Sequence, residues 1–236
     1  MQHKKNITLL PNQRIMDNPM YDILLSLPLF QGMTTADFNS LLQKIRLDFV
    51  KYAPQETIIN EGDRCQSLAF LLNGTILSSR EGTNGRYTFS ESIEAPQLIE
   101  PYSMFGRAGT YLRTYTAHTE CSLLMVNKQY IYTEFGKYNI CRMNLLNILS
   151  GKVQQLDNYV WNLDGMTLRE RIVRFISGLS DYRTGEKHLQ IKMNDLAVLM
   201  DATRLNVSKE LNAMEAEGLI SLRRKEILVP ALEKLV

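Results

Sequence analysis

The hydrophobic period of this chain changes once, near Asn127, and that change constrains the fold more than any other feature. Before it, from about Leu47 to Val126, short runs such as ETII, SLAFLLNGTIL, RYTFSESI, TYTAHT and CSLLMV are punctuated by EGD, NG, EGTNG and APQ. β-Branched and aromatic residues cut at short intervals by glycine, asparagine and proline read as strands and turns of an all-β sandwich or barrel. After it, Leu146, Leu149, Val153, Leu156, Val160 and Leu163 recur at spacings of 3, 4, 3, 4 and 3. A 3.5-residue period keeps one helix face turned toward a second helix, so the seam predicts a dimer-forming helix with Gly151 as its weak point. An amphipathic helix lying on its own domain carries a similar stripe, and the spacing alone leaves that reading open.

Helical punctuation brackets the β-rich stretch. In SLPLFQGMTTADFNSLLQKI, residues Phe38, Leu41, Leu42 and Ile45 fall at i, i+3, i+4 and i+7, with Thr34 or Thr35 as N-cap. Beyond the seam, DGMT breaks the helix, and Thr167 followed by Glu170 forms a capping box that opens a second helical region. The expected organisation is α+β. A β-rich domain with short flanking helices occupies residues 1–126, a long helical region 127–164, and a helical domain 165–236.

Charge and cysteine usage narrow the class. Residues 1–164 hold 15 Lys/Arg against 15 Asp/Glu, and residues 165–236 hold 12 against 10, so the net +2 lies wholly in the last third. That balance permits a nucleic-acid partner where the cations gather on one face. Cys65, Cys121 and Cys141 form no CxxC pair, which points to a reducing cytoplasm and away from a disulfide framework or a zinc finger. No apolar run is long enough to span a membrane, and the basic start MQHKKN precedes no long apolar stretch of the signal-peptide kind. No nucleophile elbow, P-loop, HExxH or paired-carboxylate motif is found, so neither an enzyme nor a metal site is expected, and no cofactor is assigned.

The chemistry concentrates in MNDLAVLMDATRLNVSKELNAMEAEGLI. A short helix runs from an Asn194 N-cap to Met200. A second begins after a Thr203 cap and ends before Gly218. Ala197 lets the two approach, Asp201 takes the left-handed turn position, and Val207 locks the second helix on the first. This spacing is a helix-turn-helix pattern, although a plain helical pair in a core yields similar spacings. At 100° per residue Val207, Leu211 and Met214 share one side; Leu205, Lys209 and Asn212 fall opposite, with Arg204 and Ser208 on the flank. LISLRRKEILVP then reads as two strands joined at Arg224-Lys225, a hairpin wing with a basic tip.

Together these elements resemble the cyclic-AMP receptor protein and fumarate–nitrate regulator (Crp/Fnr) family of bacterial transcription regulators. The resemblance covers roughly Leu27 to Val229, through LPLFQGMT, TIINEGDRCQSLAFLLNGTI, AHTECSLLMVNK, the long helix, LRERIVRFI, the helix-turn-helix and the wing. It implies an N-terminal β-roll (a jelly roll like the cyclic-nucleotide-binding domain), a dimerisation helix and a C-terminal winged helix. It also implies a pseudo-palindromic double-stranded DNA target, RNA polymerase as a further partner, and a small-molecule effector. The DNA-binding residues would be Thr203, Arg204, Leu205, Asn206, Ser208 and Lys209 with Arg223, Arg224 and Lys225. The main base contacts would fall on Arg204, Leu205 and Lys209, where the family pattern has Arg, Glu and Arg. Leu205 either packs on a thymine methyl or merely covers the turn.

The family's cyclic-nucleotide pattern transfers poorly. Its Gly-Glu pair falls on Glu100-Pro101, its Arg-Ser pair on Tyr111-Leu112, and its Thr-Ser pair on Leu156-Asp157. Arg113-Thr114, two residues on, supplies a phosphate contact only if the loop slips. The candidate effector pocket is therefore Glu100, Tyr111, Arg113, Thr114, Leu156 and Asp157, with an effector other than cyclic AMP. The cysteine cluster of the iron–sulfur members is absent, His118 reads as a structural or surface histidine, and Cys65 is either a buried residue or a thiol sensor. A sensor or adaptor module that no longer reads DNA is the alternative. The cations Arg204, Lys209, Arg223, Arg224 and Lys225 argue against it, since a helix merely packed in a core would not need them.

Overall fold

A computed structural model of the chain describes residues 19–161 and 165–235. They form two compact units. One comprises the chain up to Ile76 together with Glu94–Gln154, and the other comprises Leu77–Ile93 together with Gln155–Val236.

In the first unit, α1 (Pro19–Ser26) and α2 (Thr35–Leu42) precede the strands. Thr34 caps α2 by accepting a hydrogen bond from the Asp37 amide, and Phe38 and Leu41 are fully buried, as their spacing predicts. The helix stops at Leu42, so Leu42 and Ile45 are only half-buried. The strands are β1 (Asp48–Tyr52), β2 (Thr57–Ile59), β3 (Ser67–Asn73), β6 (Gln97–Ile99), β7 (Thr114–Ala117) and β8 (Cys121–Asn127). They pair antiparallel as β1-β8-β3-β6 and β2-β7. Leu68 to Leu72 in β3 are all buried, which marks a strand covered on both faces. Phe30, from LPLF, is the hub: its ring lies 5.1 Å from Phe38 and 5.7 Å from both Phe70 and Phe135. It thereby ties the N-terminal helices to the roll. α3 (Lys128–Thr133) follows β8 at once, and α4 (Asn139–Trp161) is the long helix.

The second unit starts with a hairpin from the middle of the β-rich sequence, β4 (Thr75–Glu81) and β5 (Tyr87–Glu94). Its other elements are α5 (Leu168–Leu179), β9 (Lys187–Ile191), α6 (Met193–Leu199), α7 (Arg204–Ala216), β10 (Ser221–Arg223) and β11 (Glu226–Val229). Strand β9 is paired on both edges, by β5 and by β11, so hairpin and wing form one antiparallel sheet. Phe89 of β5 lies 2% exposed in the same core as Ile172, Leu189, Val207, Leu211 and Ile227. Tyr87 packs edge-on against Phe175 with centroids 5.3 Å apart.

A fully buried ion pair closes this arrangement. Glu91 and Lys187 face each other across the β5–β9 ladder at 3.0 Å, both with no exposed side chain. Two such charges tolerate burial only when hydrogen bonds complete their shells. Asp181 and Tyr182 amides donate to Glu91, and Lys187 donates to the Thr184 carbonyl.

Candidate nucleic-acid interface

Helix α7 is held to its unit by one face and by its ends. Val207, Leu211 and Met214 are fully buried. Each such side chain contributes on the order of 1.5–3 kcal/mol relative to an exposed position. Thr203 caps the helix, accepting from the Asn206 amide at 3.2 Å. Asp201 adopts φ +44°, the left-handed turn conformation, and the Ala202 amide donates to the Ala197 carbonyl, which closes the turn. Gly218, at φ +74°, stands just beyond the C-terminus. From α5, Arg169 bonds Glu210 at 2.6 Å and chelates Glu217 at 2.6 and 2.8 Å, bracing α7. The Thr167–Glu170 capping box that opens α5 is present on both sides. One expectation is corrected: α6 begins at Met193 with Lys192 as N-cap, not at Asn194, and no side chain caps it.

The opposite face of α7 is open. Thr203, Arg204, Leu205, Asn206, Lys209 and Asn212 are exposed, and Ser208 is half-buried. Leu205 is 77% exposed, so it does not cover the turn. The wing turns at Arg224-Lys225, with Lys225 at φ +64°. Arg204, Lys209, Arg224 and Lys225 are exposed and make no ion pair among the described residues, while Arg223 stands 4.0 Å from Glu226. A cleft of about 350 Å³ joins the helix to the wing, lined by Lys192, Asn194, Arg204, Arg223 and Lys225. Exposed, unpaired donors at a helix N-terminus beside a basic hairpin suit a polyanion with hydrogen-bonding edges. Sequence reasoning missed Lys192, and with it strand β9, although the alternation of buried Lys187, Leu189 and Ile191 was there to read.

The candidate effector residues fare differently. Glu100, Tyr111, Arg113 and Thr114 are gathered in the first unit; Leu156 and Asp157 belong to the second, exposed on α4. Glu100 is buried in the left-handed region at φ +42°, at the position where the family pattern has glycine. Its carboxylate accepts from the Leu112 amide at 2.5 Å, the Tyr115 hydroxyl at 2.8 Å and the Ser103 hydroxyl. The Tyr111 hydroxyl donates to the Ser67 carbonyl at 2.9 Å, and burial, then its bond with Cys65, pushes its pKa up. Arg113 is buried, and Thr114 accepts from the Glu61 amide. Burial likewise raises the Cys65 thiol, and Cys121 and Cys141 are pushed up to about 11. All three cysteines are free and buried, so Cys65 is no exposed sensor. His118 is exposed. Among the described residues no cluster of His, Cys, Asp or Glu is arranged for a metal, and no helix is long and apolar enough to cross a membrane.

Along α4, Leu146 is 55%, Val153 65% and Leu156 50% exposed, with Leu149 half-buried. Leu163 and the Val160 side chain lie outside the described residues.

Comparison with known proteins agrees with this geometry. Residues 49–138 match the cyclic nucleotide-binding domain family, and residues 170–236 match the Crp-like helix-turn-helix domain family. The chain is 22% identical over 191 residues to the cAMP-activated global transcriptional regulator Vfr of Pseudomonas aeruginosa, covering 76% of this chain and 87% of Vfr. Among solved structures it resembles the Thermus thermophilus catabolite activator protein, with a TM-score of 0.52 and 20% identity over 88% of this chain and 96% of that one. It also resembles the sensor domain of the transcriptional regulator DNR from Pseudomonas aeruginosa, with a TM-score of 0.50 and 17% identity over 62% and 94%. A nucleotide-binding-type β-roll followed by a Crp-like helix-turn-helix, in the order the strands and caps dictate, establishes that the chain belongs to the Crp/Fnr family of bacterial transcription regulators.

Proposed function

We propose that the protein acts in the cytoplasm as a homodimer that reads a pseudo-palindromic operator with its two α7 helices, recruits or blocks RNA polymerase there, and performs no catalysis. The sensor would occupy residues 1–126, the dimerisation region 127–164 and the winged helix 165–236. The observation that carries this reading is the open face of α7: Arg204 and Lys209 are exposed beside the wing's Arg224 and Lys225, with no ion pair among the described residues. Arg204 suits guanine O6 and N7 as a bidentate donor, Lys209 serves as a point charge, and Leu205 meets a thymine methyl. Exposed Leu146, Val153 and Leu156 on α4 support the dimer, since a helix packed on its own domain would cover them. Two-fold symmetry then sets the half-sites about one helical turn apart, roughly 34 Å.

The effector is not cyclic AMP. Tyr111 stands where the family pattern has the phosphate-binding arginine, and the Glu100 carboxylate is taken up by the Ser103 and Tyr115 hydroxyls and the Leu112 amide. An anionic phosphate there would lose its charge-assisted bond. The test is selection of bound duplexes from a random library. An enriched palindrome is expected, and the absence of any enriched sequence refutes the reading. Calorimetry with cyclic AMP is expected to give no heat at physiological concentration; micromolar binding lost in Arg113→Ala overturns the second claim.

A further inference from the structure

We infer that the β4–β5 hairpin is part of the DNA-binding surface, with Arg86 and Lys192 holding a stretch of phosphate backbone beyond the wing. The inference rests on the operator-binding reading above and extends it to residues from the β-rich half of the sequence. Because β9 pairs with β5 on one edge and β11 on the other, three strands end side by side. Tyr87 pairs with Ile191, and the Ile191 amide donates to the Lys225 carbonyl. The residues that follow at this end are Arg86, Lys192 and Arg224-Lys225, one cationic position per strand. A second cleft, of about 400 Å³, opens there and is lined by Arg86, Lys192, Arg224 and Lys225 among others. It shares Lys192 and Lys225 with the cleft that reaches Arg204.

The cations therefore run without a break from the N-terminus of α7, across the wing tip, to the hairpin tip. All are exposed, and none but Arg223 has an ion pair among the described residues. The acid in both clefts, Glu226, is held by His188 at 3.0 Å and stands 4.0 Å from Arg223, so it pairs with none of the other cations of the row. Two strand spacings carry the row about 10 Å past the wing. One DNA strand bears about three phosphates in that axial distance. A double-stranded backbone fits the row: it offers regularly spaced anions and asks for no base-reading geometry.

The test measures operator affinity against salt for the wild type, Arg86→Gln and Arg86→Lys, on the full-length dimer with its selected duplex extended by one helical turn at each end. Each lost phosphate contact lowers the slope of log K on log salt by about 0.9, so the two copies of Arg86→Gln should lose about 1.8. Affinity near 0.15 M salt should fall roughly fivefold per contact. Arg86→Lys should keep most of the slope, and a duplex trimmed to the bases under α7 and the wing should not distinguish the three proteins. Equal slopes for all three on the extended duplex overturn the inference, while a wild type that selects no operator overturns the underlying reading instead.

Discussion

Around Glu100, Tyr111 and Thr114 the polar side chains bond groups of the protein itself, whereas on α7 and the wing Arg204, Lys209, Arg224 and Lys225 turn outward. In the first stretch Glu100 accepts from Ser103, Leu112 and Tyr115, Tyr111 donates to Ser67, and Thr114 accepts from Glu61. In the second, the cations point to solvent, and the acids nearby are taken up elsewhere by Arg169 and His188. Protein groups that satisfy each other stabilise a loop; groups left unsatisfied and exposed are available to a ligand. The loop that the family's nucleotide pattern addresses thus bonds largely within the protein, and the helix-turn-helix leaves its cations open to solvent.

The largest effect should come from a site that serves the reading surface without touching it. Val153→Glu places a charge on the exposed apolar seam of α4, where burial against a second α4 makes an unpaired carboxylate costly. Monomer by light scattering and complete loss of operator binding are expected. A wild type already monomeric at micromolar concentration sinks the dimer seam. Next is the inward loop. Glu100→Ala removes the acceptor of the Leu112 amide and of the buried Tyr115 hydroxyl, and should cost about 1–3 kcal/mol in urea unfolding of the roll. A neutral substitution would mean that the carboxylate is kept for a ligand, which reverses the comparison.

Changes on the outward face should leave stability alone and alter recognition. Arg204→Ala should cost roughly 1–3 kcal/mol of operator binding and relax preference at a guanine. Leu205→Glu should shift preference toward a C·G pair at one position per half-site, because a carboxylate accepts from cytosine N4. If that variant and the wild type select the same operator, Leu205 does not face a base.

The same contrast explains what was legible in the sequence. Local chemistry was: the Thr34, Thr167 and Thr203 caps, the left-handed Asp201, the buried Val207–Leu211–Met214 face and the wing turn at Arg224-Lys225 all follow from neighbours a few residues apart. Pairing over long separations was not. The run RYTFSESI announces a strand, but nothing in it names β9 as its partner, because Glu91 finds its cation at Lys187, far along the chain. Arg86 therefore read as the first residue of a strand of the roll. The start of α6 was misjudged for a local reason: no side chain caps it, so Asn194 was the more persuasive residue.

The smallest expected effect tests why the acids near the reading surface do not neutralise it. His188 lies between Glu226, at 3.0 Å from Nδ1, and Glu186, at 2.8 Å from Nε2. Burial opposes its charge, but the hydrogen bonds to Glu226 and Glu186 outweigh that opposition, and its pKa is raised. A folded-state pKa above the unfolded value of about 6.5 means that the stabilisation is complete below that value. It is lost as pH rises through the folded pKa. With a quarter of the side chain exposed, screening should hold the effect to a few tenths of a kcal/mol and at most about 1. Native-state hydrogen exchange of the β9 and β11 amides should show His188→Gln less protected than the wild type at about pH 5.5, and the two converging at about pH 8.5. A gap that stays constant across that range would mean that His188 does not gain its charge in this window. Glu226 would then stay uncompensated by His188 beside the cations it lines, and the outward surface would be less positive than its arginines and lysines suggest.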